Sequence, residues 1–182
     1  MNPKGIQKFN NSSLLTPHSS LNIVMSKDTK TNVMRVLEQQ GIEYTPHDYP
    51  VGEQAPSGGE VAAYLGKDPY SVYKTLVTQG AKGNYVFVIP VCGTLDLKKA
   101  AKAAGEKFIE MIPQAKLLPL TGYIHGGCSP IGMKKKLPTF YEEACLLEET
   151  VCVSAGKVGF QVELDPNELI RITDGTTADL IM

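Results

Sequence analysis

The chain has 182 residues, 42% of them hydrophobic and 20% charged, with a formal net charge of -1. That length and balance fit one well-buried globular domain and exclude a fibrous or wholly disordered chain. The near-neutral charge excludes a strong non-specific nucleic-acid binder, so any RNA contact must come from a local basic patch.

Residues 1–28 differ in character from the remainder of the chain. Asn10-Asn11-Ser12-Ser13 and Ser19-Ser20 are polar without periodicity, and Leu21-Asn22-Ile23-Val24 is too short for a signal-peptide core. A flexible leader is expected there, or an upstream extension with Met25 as the natural start, carrying no chemistry. A helix is predicted over about Thr31 to Gln40, with Val33, Val36 and Leu37 on one face and Gly41 as its stop. Ile42 to Tyr49 alternates as a short strand. Ser57-Gly58-Gly59-Glu60 is a capping box opening a helix that Gly66 ends, and Asp68-Pro69 starts one further turn.

Two strands, the Tyr73–Val77 run and Tyr85–Ile89, flank Gly80-Ala81-Lys82-Gly83-Asn84 as a β-hairpin. Asp96 caps a helix to Ala104, stopped by Gly105. Short strands are expected near Phe108 to Glu110, Tyr123 to His125, Val151 to Ser154 and Val158 to Leu164, with Gly156-Lys157 turning between the last two. Asp165-Pro166-Asn167-Glu168 opens a final helix. Intermixed strands and helices with hairpins favour an α+β fold over a doubly wound sheet. No apolar run approaches the ~18 residues that span a bilayer.

Lys74 stands inside the Tyr73-Lys74-Thr75-Leu76-Val77 strand, sharing a face with Leu76 while Tyr73, Thr75 and Val77 take the other. Burying an unpaired ammonium is costly, so the position calls for an anion, or for a strand end from which the stem snorkels to water. A second unusual segment is Tyr123-Ile124-His125-Gly126-Gly127-Cys128-Ser129-Pro130-Ile131-Gly132. Paired glycines admit a positive φ and let the backbone approach a ligand, or they simply make a tight turn. Lys98, Lys99 and Lys102 on one helix, and Lys134-Lys135-Lys136 after the glycine loop, are either solvated faces or a seat for phosphates.

Cys92, Cys145 and Cys152 lie in apolar surroundings and are read as small core residues. No C-x-x-C and no histidine at ligand spacing suggests a zinc site, and reduced thiols suit a cytoplasmic protein. Cys128 with His125 raises a thiol nucleophile, but no third group orients the imidazole. His47 is read as a strand-end residue. There is no P-loop, dinucleotide fingerprint or catalytic acid pair.

Val72-Tyr73-Lys74-Thr75-Leu76, Gly93-Thr94-Leu95-Asp96-Leu97-Lys98-Lys99, Gly122-Tyr123 through Gly126-Gly127-Cys128-Ser129-Pro130-Ile131-Gly132, Lys135-Lys136-Leu137-Pro138-Thr139 and Ser154-Ala155-Gly156-Lys157 occur in that order. From about Thr29 onward the chain thereby resembles the YbaK/EbsC family of Cys-tRNA(Pro)/aminoacyl-tRNA deacylases, relatives of the editing domain of bacterial prolyl-tRNA synthetases. The resemblance implies one α+β editing domain over 29–182, with a mixed, partly barrel-like sheet surrounded by helices. It implies trans-editing: clearance of a wrong amino acid, chiefly cysteine, from the 3′ end of tRNA(Pro), in the cytoplasm and with prolyl-tRNA synthetase nearby. No metal or organic cofactor, membrane or DNA is implied.

By position, the resemblance makes Lys74 the essential lysine holding the tRNA 3′ end, with Gly126 and Gly127 as the backbone wall. Tyr49, Thr75, Ser129, Ser154 and Gln161 become substrate-binding residues, and Lys98, Lys99, Lys134, Lys135 and Lys136 meet the tRNA backbone. Two departures stand out. Ser57-Gly58-Gly59 replaces a family phenylalanine, and Gln161 stands where cysteine-specific members carry an aspartate, leaving the amino acid removed open. An aminoacyl ester is already activated, so attack by the substrate's own thiol or by water needs only positioning and an oxyanion site. A non-catalytic tRNA- or synthetase-binding module of the same fold remains the alternative.

Overall fold

Helix caps written in the sequence fix much of the architecture. In the computed structural model, which describes residues 30–182, the hydroxyl of Thr31 accepts from the Met34 N–H and opens α1 (Asn32–Gln39). Val33, Met34 and Leu37 are its buried stripe. Ser57 and Glu60 form the expected capping box of α2 (Gly58–Leu65), which Gly66 ends in the left-handed region. Asp96 caps α3 (Leu97–Ala103), whereas α4 (Gln114–Thr121) starts without a side-chain cap. Asp165 with Pro166 opens α5 (Pro166–Thr173). The leader expected over residues 1–28 lies outside the described residues.

The strands form two sheets. In the smaller, β1 (Thr45–Asp48), β7 (Phe160–Leu164) and β6 (Val151–Ser154) run antiparallel in the order β1-β7-β6. The larger is built on the predicted hairpin of β2 (Tyr73–Gly80) and β3 (Asn84–Pro90). β4 (Ile109–Met111) pairs antiparallel with β2, and β5 (Thr139–Glu142) and β8 (Thr176–Ala178) add in parallel beyond β3. The resulting order is β4-β2-β3-β5-β8. A parallel bridge between Val72 and Cys152 stitches the sheets together; they do not close into a barrel among the described residues. The α+β class holds.

Central strand β3 reads as a continuous apolar run because both its faces are covered. Val86 and Val88 join Val77, Tyr141, Val153, Val162 and the α1 stripe in the largest core. Phe87 and Ile89 point the other way, against Ala100 and Ala101 of α3. A third cluster, Tyr49, Val61, Ala62, Val72 and Cys152, packs α2 over the small sheet.

Several expectations need correction. The strand expected over Tyr123 to His125 is irregular, and the helix before it, α4, has no counterpart in the sequence reading because Pro119 lies inside it. Proline normally breaks a helix interior, and that cue hides α4. Strands β5 and β8 are likewise unforeseen; their parallel partners are distant in sequence and leave no local hairpin signal. The first strand is shorter than Ile42 to Tyr49. Cys145 and Cys152 are buried as read, but Cys92 is exposed.

Farther along the small sheet a polar knot ties four stretches of the chain. Glu163 of β7 takes Lys67 Nζ at 2.7 Å on one oxygen and sits 2.7 Å from His47 Nε2 on the other, while the Thr150 hydroxyl donates to it at 2.6 Å. Burial pushes the Glu163 carboxyl up, but the Lys67, Thr150 and His47 contacts outweigh it and hold it at about 2, from 4.5. A depressed carboxyl stabilises the fold above its unfolded value and ceases to do so as pH falls through the folded value. Glu163→Gln should therefore cost about 1–2 kcal/mol at neutral pH, the exposure of Lys67 limiting the loss. Urea denaturation of both proteins should show the gap closing as pH falls from about 4.5 toward about 2.

Candidate active site

A cavity of about 460 Å³ opens where the two sheets meet. Its walls are the start of α2 with Ser57 and Gly58, the first half of β2, the α4 side with Ile112, Gln114 and Leu117, the glycine loop, and Ser154 and Gln161 of the small sheet. Register explains the last pair: Ser154 lies opposite Gln161 across β6 and β7, so both side chains leave the same face.

Lys74 lines this cavity and is half-buried. Its Nζ donates to the carbonyl of Gly93 at 2.7 Å and to that of Val91 at 3.2 Å, where the chain leaves β3. Burial lowers its pKa, with only a smaller opposing pull from Cys92. An ammonium has three donors. Among the described residues two are spent on carbonyls that carry no charge, leaving one N–H and the full charge for a ligand.

In the glycine loop of the same cavity, Ile124 to Gly127 makes a turn closed by the Gly127 N–H on the Ile124 carbonyl at 3.0 Å. Gly126 occupies its third position with φ 81°, the conformation a type II turn reserves for glycine. A Cβ on Gly126 would lie 2.8 Å from the Cβ of Ala55. The Gly126 N–H meets no backbone carbonyl among the described residues, leaving it available to an oxyanion.

Lys74, Gly126, Tyr49, Thr75, Ser154 and Gln161 are thus brought together around one space. Thr75 Oγ1 and Gln161 Oε1 are buried without a hydrogen-bond partner among the described residues. Other expected site residues fall elsewhere. Gly127 is buried behind the loop, where a Cβ would come 3.1 Å from the Val158 nitrogen, and does not line the cavity. Ser129 is fully buried and its hydroxyl accepts from the Ile131 N–H, so it braces the loop. Lys99 is bound to Asp179 and the Ile181 carbonyl, and Lys136 to Asp174; Lys98, Lys134 and Lys135 are exposed.

Spacing alone does not reveal everything at the site. His125, which has no orienting partner in the sequence pattern, lines the cavity beside Gly126. The α4 wall is as invisible in the sequence as its helix. His47, Cys152 and Glu163 bring ligand-type atoms within 4.8 Å of one another, a cluster no sequence spacing announces. The Lys67 ammonium already neutralises Glu163 there, and burial pushes the Cys152 thiol up to about 12. Both oppose a bound cation.

Cys128 lines the cavity too, but burial raises its thiol to about 12, far from the thiolate a nucleophile needs. Cys128→Ala should keep kcat within about threefold of the parent in a deacylation assay, since a thiol this reluctant to ionise cannot carry the chemistry.

The aminoacyl-tRNA editing domain family matches residues 53–172. A protein of Enterococcus faecalis, described as a candidate Cys-tRNA(Pro)/Cys-tRNA(Cys) deacylase, EbsC, is 45% identical over 152 residues, covering 83% of this chain and 93% of its own length. A solved candidate trans-editing enzyme for prolyl tRNA synthetase superposes with a TM-score of 0.73 at 27% identity, over 82% of this chain and 94% of that one. A solved hypothetical protein, with a TM-score of 0.74 at 23% identity over 82% and 99% of the two chains, attests the fold alone.

Proposed function

The chain belongs to the aminoacyl-tRNA editing domain family, and from that premise we propose that it is a trans-editing deacylase clearing misattached cysteine from tRNA(Pro). The observation that carries this reading is the half-buried Lys74 ammonium, held among the described residues by two neutral carbonyls with one donor left, lining the same cavity as the Gly126 turn. An anionic RNA terminus supplies the missing counter-charge, and the ester then lies between cation and turn. No described helix is long and apolar enough to cross a membrane. Residues 29–182 act as the editing domain in the cytoplasm, where its tRNA substrate is, with prolyl-tRNA synthetase as a neighbour.

The chemistry asks little of the protein. The cysteine sulfur attacks its own ester carbonyl, a C–S bond forms and the C–O bond breaks, and the thiol proton ends on the ribose hydroxyl released from the tRNA. The products are a thiolactone and free tRNA. For an acyl group without a thiol, water adds instead and the amino acid leaves as its acid. In both routes Lys74 positions the 3′ end, and the Gly126 N–H meets the oxygen as charge develops on it.

Incubation with a panel of tRNAs charged with cysteine, alanine, serine or proline tests the reading. Loss of the cysteinyl ester from tRNA(Pro), well ahead of the correct prolyl ester, is expected. Binding of charged tRNA with unchanged ester lifetimes would replace it with a non-catalytic module.

A further inference from the structure

The cavity's own polar atoms say something about the acyl group it takes. Thr75 and Gln161 both line it, and their Oγ1 and Oε1 atoms are buried without a partner among the described residues. Leaving such an acceptor unsatisfied forfeits the hydrogen bond it made to water in the unfolded chain, so a ligand N–H is the natural complement. The charge of that N–H is what the surroundings decide. Among the described residues no aspartate or glutamate lines the cavity, while Lys74 contributes a cation and His125 a further basic nitrogen. Glu163 lies two positions from Gln161 on the same sheet face, but Lys67, His47 and Thr150 already occupy its carboxylate. A second cation placed here has no counter-ion and shares a half-buried space with Lys74, which disfavours the charged form of an incoming amine.

We propose that Gln161 and Thr75 receive the α-nitrogen of the acyl group as an uncharged N–H donor, so that the site also clears tRNA esters whose amino acid is N-acylated. An amide N–H satisfies the Gln161 oxygen as well as an amine does and brings no charge to neutralise. The inference rests on the editing reading of the same cavity and extends its substrate class from free to N-blocked aminoacyl esters. N-acylation leaves the cysteine thiol untouched, so the bond-making step is unchanged.

The test compares cysteinyl-tRNA(Pro) with N-acetylcysteinyl-tRNA(Pro), each corrected for spontaneous loss. Values of kcat/KM within about threefold of each other are expected, because discrimination of tenfold or more needs ~1.4 kcal/mol of contact to a charged amine. Gln161→Glu puts a carboxylate at the acceptor and should shift preference toward the free amine by at least ~10-fold. Rapid cleavage of the free ester with rejection of the blocked one by the unmodified protein would overturn the inference and leave the editing reading standing. Cleavage of neither ester would overturn both. Should Gln161→Glu fail to fold, the two-substrate comparison on the unmodified protein still decides.

Discussion

Lys74→Ala should reduce kcat/KM for deacylation by at least ~100-fold, the scale on which loss of a positioning and charge-stabilising group is felt. The fold should survive. The ammonium touches only the Val91 and Gly93 carbonyls at the exit of β3 among the described residues, and the strand pairs in register with β3 on one side and β4 on the other without its help. Lys74→Met separates stem from charge: it keeps an unbranched apolar stem and removes the cation, so it should be nearly as inactive as alanine. Circular dichroism melting alongside the assay checks that activity, not structure, is what disappears. Full activity in either variant would remove Lys74 from the site.

Gly126→Ala should be the next most damaging change. A β-carbon there meets two separate obstacles: φ is 81°, a left-handed conformation costing an L-residue about 1–2 kcal/mol, and Ala55 stands 2.8 Å away. The turn relieves both by shifting, which moves the Gly126 N–H away from the ester oxygen. A displacement of about 1 Å in such a group is worth up to ~100-fold in rate. Activity should therefore fall by one to two orders of magnitude while thermal melting shows a modest drop in Tm. The split matters: a loss of stability with unchanged kcat would make the loop merely structural.

Elements marked by local chemistry are legible in the sequence. Ser57, Asp96 and Asp165 announce three helices through their side-chain caps, the Val33-Val36-Leu37 face announces another, and the Gly80–Asn84 segment announces the hairpin holding Lys74. Elements fixed only by distant partners are not. β5 and β8 owe their form to parallel neighbours in other parts of the chain, and α4 packs Leu117 and Leu120 on the main core despite Pro119 inside it. At the site the same division applies. Lys74 and the paired glycines stand out because each breaks a local rule, whereas Gly127, Ser129, Lys99 and Lys136 can be sorted from the cavity only by seeing which neighbours claim them.

Cys92 sits between Val91 and Gly93, the two residues whose carbonyls grip the Lys74 ammonium, and it is exposed where Cys128, Cys145 and Cys152 are buried. A maleimide dye would consequently attach at a single sulfur without any mutation. Seated on the clamp itself, its emission would register each arrival and departure of an RNA end, turning the clearance cycle into an optical signal followed in real time.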